Sequence, residues 1–141
     1  MVVNLEDMYP FMNEMLSAGK EIEITITGDS MFPTLHNRRD MVVLAKTEDF
    51  KRGDIVLYRR KTGQFVLHRI VRISDEDLFL VGDNQKDIES GITKADVIAT
   101  VKEITRNKKH FSVTNKRYRL YSYIWLLIIP FRRYITHFMK K

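Results

Sequence analysis

The spacing of apolar positions along this chain of 141 residues switches from a helical period to a strand period near residue 21. Between Leu5 and Ala18, Leu5, Met8, Tyr9, Met12, Met15 and Leu16 recur at three- and four-residue intervals, which predicts an amphipathic helix that Gly19 stops. Its methionines read as packing residues. From Glu21 onward Ile22, Ile24 and Ile26 alternate with Glu21, Glu23, Thr25 and Thr27, the pattern of a half-buried strand. Further strands are predicted over Met41–Ala45, Ile55–Arg59, Phe65–Ile73, Leu78–Val81 and Val97–Ile104. Arg52-Gly53-Asp54 and Lys61-Thr62-Gly63-Gln64 supply turns, and Gly82-Asp83-Asn84 a loop. The expected fold class is mostly β: a small antiparallel β domain with an N-terminal helix and a C-terminal amphipathic helix. Its expected divisions are a helix over 1–20, a β domain over 21–105 and a basic, apolar tail over 106–141.

Composition adds two constraints. At 44% hydrophobic and 30% charged residues the chain can bury a core and is not disordered by composition. With no cysteine it has no disulfide scaffold, no cysteine nucleophile and no thiolate metal site.

The net charge of +6 is unevenly spread, since eleven Lys/Arg and one acid fall between Lys102 and Lys141, leaving the preceding body net acidic. That asymmetry points to a membrane surface or another polyanion as partner for the tail, and away from a nucleic-acid-binding body. Met1–Pro10, with two acids and no basic residue, does not read as a signal peptide or an anchor. The apolar run Tyr121–Phe131 would form a helix of roughly 16 Å, about half of a ~30 Å hydrocarbon core. The favoured expectation is a segment lying in the interface, with Tyr121, Tyr123, Trp125 and Tyr134 at headgroup level. A span that places Arg132 and Arg133 near the far side, and a helix docked on protein, are the other two readings.

The candidate chemistry lies in three short stretches. In Gly28-Asp29-Ser30-Met31-Phe32-Pro33 a serine sits at a strand end in a turn shaped by Gly28 and Pro33. Such a turn, continued by Met31, presents a hydroxyl and its own N–H to one spot, as a nucleophile beside an oxyanion hole requires. His68, in mid-strand on one face with Val66 and Ile70, is the best placed of the four histidines to act as base; His36 is in a polar loop, and His110 and His137 are in the tail. The stretch after the next strand offers Asp83, Asp87 and Glu89 as acids to orient the imidazole, with Asp83 at the strand end the first choice. No metal and no organic cofactor is required by this set.

Four blocks in order, Gly28–Thr34, Arg52-Gly53-Asp54-Ile55-Val56, His68-Arg69-Ile70-Val71 and Gly82-Asp83-Asn84, resemble the signal peptidase I family, which shares its catalytic fold with the SOS-repressor autoproteases. The resemblance covers about 60% of the chain. It implies Ser30 as nucleophile and His68 as base, the arrangement of the endoplasmic-reticulum and archaeal type rather than the bacterial type with lysine. That type usually carries its important aspartate six residues after the Gly-Asp-Asn aspartate, where this chain has Glu89, so Asp83, Asp87 and Glu89 remain alternatives. The implied activity is a serine endopeptidase that removes a signal or leader peptide from an exported precursor, with a preference for small side chains before the scissile bond. The expected partners are that precursor and, through the tail, a membrane surface. A catalytically inactive peptide-binding or membrane-surface module of the same fold is the competing class.

Overall fold

A computed structural model describes residues 5–128. The portion of the expected tail beyond Ile128, including Arg132, Arg133, Tyr134 and His137, lies outside the described residues.

Helix α1 (Leu5–Ser17) is followed by β1 (Ile22–Thr25), β2 (Met41–Ala45), β3 (Ile55–Arg59), β4 (Phe65–Ser74), β5 (Asp77–Val81), β6 (Glu89–Thr93), β7 (Val97–Arg106), β8 (Lys109–Ser112) and α2 (Lys116–Leu127). The strands form one antiparallel sheet in the order β1-β2-β7-β3-β4-β5-β6, and β8 adds to β7. The fold is thus mostly β with a helix at each end, as the periodicity predicts. Met12 and Leu16 of α1 pack with Ile26, Leu44, Leu57 and Val101 in the main core. A second core joins Val56, Tyr58, Val66, Ile70, Leu78, Leu80 and Ile92 across β3, β4, β5 and β6.

Two elements differ from the expectation. β6 is a strand that the periodicity does not predict; Gly91, at a φ of +81°, and the exposed Ser90 leave it only one buried apolar residue, Ile92, so no alternation betrays it. Past residue 105, β8 pairs with β7, and α2 buries Tyr118, Ser122, Trp125 and Leu126 against the domain. Residues 106–128 therefore continue the packed unit. The side chain of Asn115 caps α2, accepting from the N–H groups of Arg117 and Tyr118. Among the described residues no helix is long and apolar enough to cross a membrane.

Candidate active site

Ser30 lies in the 15-residue connection from Ile26 to Asp40, which is fastened at both ends. The Ile26 N–H donates to the Asp40 carbonyl at 2.9 Å, the Arg38 N–H to the Ile26 carbonyl at 2.7 Å, and the Gly28 N–H to Asn37 Oδ1 at 2.9 Å. Gly28 has a φ of +84°, a conformation that a residue bearing a Cβ rarely adopts. Met31, Thr34 and Leu35 are buried, as is Pro33, so the turn is anchored from below while Ser30 remains half-exposed. Among the described residues the N–H of Ser30 makes no hydrogen bond, which leaves it available to a ligand.

The Gly82-Asp83-Asn84 loop closes over this turn. The Asn84 N–H donates to the Ser30 carbonyl at 2.9 Å, and Asn84 Nδ2 to the Asp29 carbonyl at 3.1 Å. A Cβ placed on Gly82 would stand 2.4 Å from the Ser30 carbonyl oxygen and 3.1 Å from His68 Nε2. Only glycine fits there, and its smallness brings the Ser30 turn and the imidazole together. No hydrogen bond joins the Ser30 hydroxyl to His68; the two side chains face one cleft.

His68 is 3% exposed on β4, opposite Val56 of β3. Its diagonal neighbour on the same face is Tyr58, which pairs with Val66. The Tyr58 hydroxyl is 3.2 Å from His68 Nδ1 and donates to Glu89 Oε1 at 2.6 Å. Since that proton goes to Glu89, the phenol oxygen is the acceptor for a proton on Nδ1. This fixes the tautomer with a lone pair on Nε2, the nitrogen that faces Gly82 and the Ser30 turn. Glu89 is held in turn by Arg60, Nε to Oε2 at 2.9 Å and Nη2 to Oε1 at 2.9 Å. Burial pushes the His68 pKa down, the Arg60 charge adds to this, and Glu89 and Asp83 oppose it, for a net value of about 4. Burial and the Glu89 carboxylate push the Tyr58 phenol well above its ordinary value, so it stays a donor. Burial alone would raise Glu89, but bonds from Arg60 and Tyr58 hold it below the usual carboxylate range.

Asp83 has other partners. It accepts from Arg69 Nε at 2.9 Å and Nη2 at 2.8 Å, both residues being fully buried, and from the Thr34 hydroxyl at 2.5 Å. Arg69 also donates to the Gly53 carbonyl at 2.9 Å and to the Ser122 hydroxyl. The structure thus joins Thr34, Gly53, Arg69 and Asp83, one residue from each of the four sequence blocks, in a network beneath the site. Asp83 is expected from sequence to reach the imidazole; here a guanidinium fork occupies its carboxylate, because strand alternation sends Arg69 to the opposite face from His68 and Asp83 follows it. Asp87 is exposed. Glu89 approaches His68 through Tyr58, which in the sequence is one more aromatic of a buried strand and is set diagonally from His68 only by the β3–β4 register.

Two clefts meet at His68. One, of about 670 Å³, is mostly apolar, with Met8 and Phe11 of α1, Ile24 of β1, Met31 and Leu67 among its walls, and Ser30 and His68 line it too. The other, of about 620 Å³, is polar, lined by residues 84–89 together with Arg60 and His68. Among the described residues no three His, Cys, Asp or Glu side chains converge as a metal site requires.

The Peptidase S24-like family model matches residues 1–102 of the chain. No curated protein matches it.

Proposed function

From the premise that the chain belongs to the Peptidase S24-like family, and so is of serine-peptidase type, we propose that it is an endopeptidase that cuts a signal or leader peptide from an exported precursor. The observation that carries the assignment of roles is the seating of Gly82, within 2.4 Å of the Ser30 carbonyl and 3.1 Å of His68 Nε2 measured from its would-be Cβ. Ser30 and His68 line the same cleft, which supports their working as a pair.

The mechanism is acyl transfer. The Ser30 hydroxyl attacks the scissile carbonyl as His68 Nε2 takes its proton, and the Ser30 N–H, with a second backbone amide of the turn, binds the developing oxyanion. His68 then returns the proton to the leaving amine, and water resolves the acyl-enzyme with His68 again as base. Tyr58 and Glu89 hold the imidazole in one tautomer, and Glu89 offsets the positive charge it gains. The apolar cleft suits the hydrophobic stretch of a leader, and the polar cleft beyond His68 suits the released side.

The experiment is incubation of the full chain with leader-bearing precursor peptides, read by mass spectrometry beside Ser30→Ala. Cleavage at one bond by the wild type alone supports the reading. Equal cleavage by Ser30→Ala removes Ser30 from the mechanism.

A further inference from the structure

We propose that α2 sits between the catalytic domain and an anionic lipid surface, its inner face bonded to the active-site loops and its outer stripe seated in the lipid interface.

The inner face is fixed to the domain at several points. The Tyr121 hydroxyl lies 2.6 Å from Thr34 Oγ1, four residues after Ser30, and Ser122 accepts from Arg69, which carries Asp83 of the loop over Ser30. Tyr118, Trp125 and Leu126 are buried beside them, and Tyr121 stacks on Trp125 with centroids 5.9 Å apart.

The outer face is unusual for a docked helix. Leu120, Tyr123, Ile124 and Leu127, at three- and four-residue spacing, are 61%, 57%, 47% and 59% exposed. Four large apolar side chains on one stripe are a patch of the kind that marks an interaction surface.

Charge selects the occupant. Lys116, Arg117 and Arg119 are exposed around the stripe, and α2 contains no acid. No acidic residue follows Glu103 in the sequence, while ten Lys/Arg do. An apolar stripe rimmed by cations matches the boundary between anionic headgroups and acyl chains. A second copy docked through the same face would bring like charges together.

The geometry has a consequence for orientation. Because the opposite face of α2 holds Thr34 and Arg69, seating the stripe would fix the catalytic domain, and its cleft, at one height above the lipid.

The test is flotation of the full chain with vesicles of phosphatidylglycerol and phosphatidylcholine, compared with phosphatidylcholine alone. Binding is expected to the anionic vesicles only, and to fall as salt rises. Leu120→Ser with Leu127→Ser should abolish it, and Lys116→Gln with Arg117→Gln and Arg119→Gln should weaken it and flatten its salt dependence. Trp125, the single tryptophan, reports on the inner face; its fluorescence should resist acyl chains brominated near their ends. Strong quenching would show α2 leaving the domain and would overturn the proposal. So would absent vesicle binding, binding that the stripe variant leaves intact, or a dimer that the stripe variant dissociates in place of vesicle binding. None of these readouts depends on peptide cleavage, so this proposal and the peptidase reading fail separately.

Discussion

The hydroxyl of Tyr58 lies 3.2 Å from Nδ1 of His68, so the group nearest the imidazole's inner nitrogen is a phenol rather than a carboxylate. The acid stands one step further back: Glu89 accepts the phenol proton and is itself clamped by Arg60. One hydroxyl therefore links the imidazole to the Glu89 carboxylate.

Tyr58→Phe should lower kcat/KM by about 10- to 100-fold, the loss expected when a buried donor is left without its acceptor. Circular dichroism should show the fold retained, because the ring still fills the second core. Full activity in this variant would mean that the imidazole is held by something else. Glu89→Gln should be milder, since the amide oxygen can still accept from Tyr58.

In the proposed mechanism His68 must be neutral to accept a proton, and its pKa of about 4 means that the acid limb of kcat/KM should fall near pH 4 and not near the ordinary ~6.5. Arg60 depresses that value, so Arg60→Gln should move the limb upward. The same shift bears on stability: as pH falls through ~6.5 the unfolded chain takes up a proton that the folded chain refuses, so stability should decline between there and about pH 4. A limb at pH 6.5 in the wild type would contradict the buried, neutral imidazole.

Asp83 should behave as a structural residue. Asp83→Ala leaves Arg69 buried and unpaired and should cost about 3 to 5 kcal/mol of folding stability, read by denaturant unfolding. Measured well below its midpoint, the folded fraction should keep most of its cleavage activity. A large fall in kcat without loss of stability would give Asp83 the orienting role expected from sequence.

Gly82→Ala tests the close approach at the centre of the site. The added methyl meets a backbone oxygen at 2.4 Å, so the loop or the Ser30 turn must move. A displacement on the order of 1 Å there should cost roughly 100-fold in rate. Retained activity would show that the Gly82 seat does not set the geometry.

The sheet was legible because apolar residues alternate with polar ones over Ile22–Thr27 and gather elsewhere in short runs between Gly-bearing turns. Ser30, His68 and the Gly82 block could be singled out because glycine, proline and a mid-strand histidine leave marks on a sequence. The wiring between them could not be read in the same way. Whether Asp83 or Glu89 serves His68 depends on which face of β4 each loop reaches, and Arg69 next to His68 diverts Asp83 through a pairing that sequence order does not show. Tyr58 looks like any aromatic in a buried strand until the β3–β4 register is known. The run Tyr121–Leu127 is apolar on both faces of α2, and sequence alone does not divide those residues between a domain and an outer surface.

The most direct test of the account is a double-mutant cycle on Ser30 and His68, scored by mass spectrometry of one precursor peptide cut by wild type, Ser30→Ala, His68→Ala and the double variant. Two groups that act as one unit lose nearly everything when either is removed, so the double variant should be little worse than each single. Losses that multiply, or substantial cleavage remaining in Ser30→Ala, would contradict a serine nucleophile worked by His68.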